Sequence, residues 1–98
     1  MKNSQDYQTL ENAYETMKFL ANEKRLALLC RIGEEEASAG ELAEFLEMAP
    51  SALSQHLRRL KEAGIVETRR EHRVIYYRLA DNNTRKIISL LKEIYCSS

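Results

Sequence analysis

The feature that most limits what this chain can fold into is its near lack of residues that interrupt regular structure. One proline and three glycines occur in 98 residues, so helices and strands can run until a capping residue or one of those four positions stops them. Pro50 suits the first turn of a helix, where its missing amide goes unused. Gly64 suits the stop at that helix's far end. Between them Leu53, Leu57 and Leu60 fall within about 60° of one another on a helical wheel, a core-facing stripe. Two β-rich runs follow, residues 65–70 and 74–79, and Glu71-His72-Arg73 joins them as a hairpin.

The rest of the chain is helical in pattern. Segment 6–20 carries Tyr7, Leu10, Tyr14, Met17 and Leu20 at helical spacing. Asn22 reads as the N-cap of a second helix bearing Leu26, Leu29 and Cys30, with Gly33 expected to end it. The acidic run 34–36 reads as a solvated turn. Ser38 and Glu41 have the spacing of a capping box and start a short helix with Leu42, Ala43, Phe45 and Leu46. From Asp81 a last helix carries Ile87, Leu90, Leu91 and Ile94. The predicted fold class is mainly α with a small β-hairpin, one domain over residues 1–98 in the order α-α-(β)-α-α-β-β-α. Two short helices across a tight turn, followed by a two-stranded wing, make a winged helix-turn-helix.

Net charge is zero, which taken alone argues against a nucleic-acid partner, but its distribution is uneven. Residues 1–48 hold 5 Lys/Arg against 10 Asp/Glu, for −5, residues 49–79 hold 7 against 3, for +4, and the remainder 3 against 2, for +1. The positive field thus sits on the helix after Pro50 and on the hairpin, where a phosphate-facing surface would need it. No apolar run approaches the ~20 residues of a membrane span, and the first residues lack the apolar core of a signal peptide, so a cytoplasmic protein with no membrane partner is expected.

On the helix after Pro50, the side opposite the leucines carries Ser51, Ser54, Gln55 and Arg58. Gln and Arg can match base edges in the major groove bidentately, and serines near a helix N-terminus suit phosphates. His56 falls beside the apolar face and reads as a packed histidine. Around the hairpin turn cluster Arg69, Arg70, His72 and Arg73, placed to reach a minor groove or its flanking phosphates. A polar helix face followed directly by a basic wing is more specific than either part.

The stretch "LANEKRLALLCRIGEEEASAGELAEFLEMAPSALSQHLRRLKEAGIVETRREHRVIYYRL", residues 20–79, resembles the ArsR/SmtB repressors, most specifically in "LSQHLRRLKEAGIVETRR" and "VIYYRL". The resemblance implies a homodimeric repressor that binds a palindromic DNA operator until an inducer arrives. It places the dimer interface on the terminal helices, here Tyr7, Leu10, Tyr14 and Met17 with Ile87, Leu91 and Ile94. One departure is Ala49, where family members often carry a capping hydroxyl or carboxylate.

The metal-binding members need cysteines where this chain has Ser38 and Gly40, or histidines that its last helix lacks, so no metal or other cofactor is expected. The chain has two cysteines, Cys30 and Cys96. Their placement is similar to the dithiol subgroup of the family, which implies a redox-sensing pair that responds to a small-molecule persulfide or oxidant. The residues themselves leave another reading open: Cys30 shares a stripe with Leu26 and Leu29, and a buried cysteine commonly serves as a small hydrophobe. An enzyme is not expected, because no nucleophile–base constellation or phosphate-binding loop is present. An adaptor using the same fold for protein contact, or a regulator that answers to a metal or to no inducer, are the alternatives.

Overall fold

The computed structural model describes residues 4–95, with side chains from residue 7 onward. The elements are α1 (Ser4–Leu20), α2 (Glu23–Glu34), β1 (Ala37–Ser38), α3 (Ala39–Leu46), α4 (Pro50–Glu62), β2 (Val66–Glu71), β3 (Val74–Leu79) and α5 (Asn82–Tyr95). This is the expected winged helix-turn-helix order, five helices with a small antiparallel wing. No helix among the described residues is long and apolar enough to cross a membrane.

Local signals set most boundaries. Asn22 caps α2 by accepting from the Arg25 amide at 3.1 Å. At α3 the capping box is complete: the Glu41 amide donates to Ser38 Oγ at 3.2 Å, and the Ser38 amide donates to Glu41 Oε1 at 3.0 Å. Pro50 opens α4 behind Ala49, which provides no side-chain cap. Gly64 ends it in the left-handed conformation, φ +76°. There the Ile65 amide returns to the Leu60 carbonyl at 2.9 Å and the Gly64 amide to that of Lys61 at 3.0 Å. This double closure buries Ile65 beside Leu60 and aims the chain into β2.

Two expectations need correction. Gly33 does not end α2, which continues to Glu34; it faces α5 and β3 instead. A Cβ there would sit 3.4 Å from Ile88 Cγ2 and 3.5 Å from Leu79 Cδ1, ordinary contact distances, so this stretch of α2 packs directly against α5 and β3. Nor is 34–36 a merely solvated turn, because Glu34 pairs with Lys92 of α5 at 3.2 Å and Glu36 with Arg69 of β2.

The core is one cluster in which Leu28 and Leu29 of α2, Leu42 of α3, Leu53, Leu57 and Leu60 of α4, Leu79 of β3 and Ile88 of α5 are buried. Phe45 is the exception on α3, 56% exposed. β1 lies beside β3, giving the sheet order β1-β3-β2. Ala37 and Ser38 pair with Tyr77 and Tyr76, and the hairpin runs from Val66↔Leu79 to Glu71↔Val74. The turn is therefore His72-Arg73, tighter than the three-residue connection expected, and His72 has φ 58°.

The bend between α3 and α4 passes through Glu47, also left-handed at φ 52°, a conformation that costs an ordinary residue about 1 kcal/mol. Two substitutions should therefore act in opposite directions: Gly64→Ala should destabilise the chain by about 1 kcal/mol, and Glu47→Gly should relieve strain of similar size. Urea unfolding of the two variants beside the parent checks the signs.

Candidate nucleic-acid interface

Burying Leu53, Leu57 and Leu60 fixes the rotation of α4, and that rotation turns Ser51, Ser54, Gln55 and Arg58 to the exposed side. Among the described residues none of these four side chains has a hydrogen-bond or ion-pair partner within the chain, so their donors and acceptors remain available. Ser51 lies in the first turn of α4, whose dipole and unpaired amides favour an anion.

His56 is half-buried on the flank of α4, facing α2, and its Nδ1 accepts from Arg25 Nε at 3.4 Å. Burial, then the Arg25 and Arg59 guanidinium groups, hold its pKa below the ordinary histidine value. It packs, as its position beside the leucines suggests. Arg25 also stacks on Phe19 of α1, 5.3 Å from the ring centroid. Lys24 donates to the Leu46 carbonyl at the end of α3 at 3.2 Å. The second helix thus holds both helices of the reading motif through side chains that the sequence did not single out.

On the wing the four basic residues separate. Arg73 is exposed at the turn without a partner among the described residues. Beside it is exposed His72, whose carbonyl accepts from Arg70 Nε at 3.0 Å. Arg69 is committed elsewhere: its Nε contacts both carboxylate oxygens of Glu36 at 2.7 and 3.0 Å, its Nη1 meets Glu71 at 3.0 Å, and it lies 4.7 Å from the centroid of Tyr76. The same guanidinium holds the Glu36 carboxyl below the usual carboxylate range. Arg69 therefore belongs to a network on the sheet, unlike Arg73, and the sequence had grouped them together. Charge clustering showed both; only strand alternation and the position of Glu36 tell them apart.

The two cysteines fall differently. Cys30 is half-buried in α2 against the core, and its carbonyl accepts from Lys92 Nζ of α5 at 2.7 Å. Cys96 lies outside the described residues. On the terminal helices Tyr7, Leu10, Tyr14 and Met17 are all exposed, with Leu90, Ile94 and Tyr95 of α5. Ile87 and Leu91, expected with them, are half-buried against the chain's own core. Leu90, named on the apolar stripe of this helix but not with the interface residues, is exposed and stands four positions before Ile94, so the two share a face of α5.

Residues 20–69 match the helix-turn-helix domain family. The transcriptional activator HlyU of Vibrio cholerae serotype O1 is 43% identical over 82 residues, which span 84% of this chain and 76% of that protein. The biofilm growth-associated repressor of Agrobacterium fabrum is 44% identical over 81 residues, spanning 83% and 69%. The structure of reduced HlyU from Vibrio cholerae superposes with a TM-score of 0.92 at 38% identity, covering 97% of this chain and 100% of that one. The homodimeric winged helix-turn-helix DNA-binding domain of Mb0332 from Mycobacterium bovis gives 0.80 at 28% identity, covering 95% and 86%.

The two exposed cations should behave differently on duplex DNA. Arg58→Ala should cost about 1–3 kcal/mol on a preferred sequence and little on random duplex. Arg73→Ala should weaken both alike and lower the salt slope by about one. Titration of labelled duplex at several salt concentrations separates the two effects, and full affinity in Arg58→Ala would show that another face of α4 is the reading face.

Proposed function

We propose that this chain, which belongs to the ArsR/SmtB family of helix-turn-helix transcriptional regulators, occupies a palindromic operator as a homodimer and represses transcription until its cysteine pair is oxidised. Its membership makes it a DNA-binding transcriptional regulator and not an enzyme. The observation that carries the DNA reading is the unpartnered row of Ser51, Ser54, Gln55 and Arg58 directly opposite the buried leucines of α4. Of the two relatives compared above, the HlyU protein is described as an activator and the Agrobacterium fabrum protein as a repressor. Repression is the simpler reading, since occupying an operator blocks transcription without any further contact. A regulator of this kind works where the DNA is, in the cytoplasm.

A second copy of the chain accounts for the apolar surface left on the terminal helices. Tyr14 is 61% exposed and Leu90 54%, in a chain near the small end of what buries an adequate core alone. The Mycobacterium bovis relative is homodimeric. A two-fold axis through such an interface presents two reading helices to two half-sites, which is why a palindrome is the fitting target.

The switch is assigned to Cys30 and Cys96. The contact of Lys92 with the Cys30 carbonyl shows that α5 is fastened to α2 at the level of that cysteine, and Cys96 follows Lys92 by four residues in sequence. Two thiols and two molecules of an organic persulfide give a three-sulfur bridge, two molecules of the carrier thiol and one of hydrogen sulfide. A plain disulfide needs Cα atoms within about 7 Å, whereas inserted sulfur spans a wider gap, so the separation of the two thiols would select the oxidant. Release then requires that the bridged pair favour a dimer shape with lower DNA affinity.

Cys30→Ser and Cys96→Ser should each bind operator normally and stay bound under persulfide, as followed by anisotropy and intact mass. A Cys96→Ser protein that still leaves the DNA rules out the pair while leaving the regulator reading in place. Tyr14→Asp and Leu90→Asp should sediment as monomers, because each puts a charge into the interface; two intact dimers would move the interface off the terminal helices.

A further inference from the structure

The wing must hold Arg73 in a set direction relative to α4, yet most of its length is only two strands wide. β1 supplies a third strand at Ala37 and Ser38 alone, opposite Tyr77 and Tyr76. Beyond that row the hairpin projects as a ribbon of β2 and β3, and a two-stranded ribbon has little stability of its own and twists more freely than a wider sheet. Its direction is therefore decided at its base.

On one face of that base, strand alternation gathers Glu67, Arg69 and Glu71 of β2 with Val74, Tyr76 and Arg78 of β3. Arg69 lies over the Tyr76 ring of the central strand and reaches Glu36, the residue just before β1. One side chain thus crosses the sheet from the outer strand to the opposite edge. Glu71 holds the same guanidinium at 3.0 Å, and Glu67 pairs with Arg78 at 2.7 Å. Two cations on this face, Arg69 and Arg78, meet three carboxylates, Glu36, Glu67 and Glu71. Such a face repels phosphate.

We propose that Glu36 and Arg69 are positioning residues for DNA binding, a strap across the base of the wing that sets where Arg73 reaches the duplex without touching DNA itself. The proposal rests on the wing contact argued above and goes beyond it, because it assigns a role in DNA affinity to a carboxylate. Charge alone makes the opposite prediction: deleting a negative group near the wing should tighten binding and steepen its salt dependence.

The test uses the full chain and a duplex selected by the parent protein from random sequence. Glu36→Gln should weaken binding about tenfold and lower the salt slope by about one, the same change that Arg73→Ala produces. Its thermal midpoint should stay close to the parent's, since both side chains reach solvent and such pairs add little stability. Combined with Arg73→Ala, the Glu36 substitution should add almost nothing, because the contact it positions is already gone. Exchanging the charges, Glu36→Arg with Arg69→Glu, should recover most of the affinity. Binding by Glu36→Gln that is equal to or tighter than the parent's would overturn the strap. So would a Glu36→Gln chain that fails to fold, since the pair would then hold the fold and not the wing. If Arg73→Ala itself leaves affinity and salt slope unchanged, the wing contact fails and the strap with it. If Arg73→Ala weakens binding while Glu36→Gln does not, the strap alone fails.

Discussion

The packing of α2 against α1, α3, α5 and β3 is the constraint around which this fold is organised. Leu28 and Leu29 have no exposed surface and Ile32 almost none, and fully burying such side chains is worth about 1.5–3 kcal/mol each. On the side of α5 and β3 the helix passes within contact distance of its neighbours at Gly33, where a Cβ would just touch Ile88 and Leu79. Polar contacts then fasten the same helix outward: Lys24 to the end of α3, Arg25 to His56 on α4, and Lys92 of α5 to the Cys30 carbonyl. α3, α4 and α5 are therefore all fastened to one helix, which also bears Cys30.

That arrangement uses the chain's apolar residues unevenly. The middle of the molecule closes over its leucines, while α1 and α5 keep aromatic and aliphatic side chains in solvent. A small chain that leaves a surface of this kind at its ends gains from a partner, and family membership supplies the form the partner takes. α5 carries both the exposed apolar face and the lysine fastened to α2.

Electrostatics follows a similar division. Summed along the chain, residues 49–79 carry the positive charge, but the sheet neutralises part of it. Arg69 and Arg78 are absorbed by carboxylates, and among the described residues of this stretch the cations left without partners are those on α4 and Arg73 at the hairpin tip. Surface pairs of this sort add little stability; their consequence is to make one face of the wing acidic and leave the tip basic.

Helix starts and stops were legible because their causes lie within a few residues: Asn22, the Ser38 and Glu41 box, Pro50 and Gly64 each act on their own backbone. The leucine spacing of α4 also determined which of its side chains face outward, since a helix with a buried stripe has only one rotation available. The bend at Glu47 gave no such signal, because a left-handed residue that is not glycine or asparagine is held there by packing and not by its own preference. The same holds for the exchange of Leu90 for Ile87 and Leu91 on the free face of α5, which depends on where α2 lies. It holds too for Gly33, a stop by local rule and a packing contact in fact. By itself the sequence determined the order of elements, the core stripe and the polar face of α4, all of them properties of periodicity and local hydrogen bonding. Only the tertiary structure decided which arginines are already paired, which apolar residues stay exposed and what the acidic run after α2 holds, because each depends on groups far apart in sequence that meet only when the chain closes.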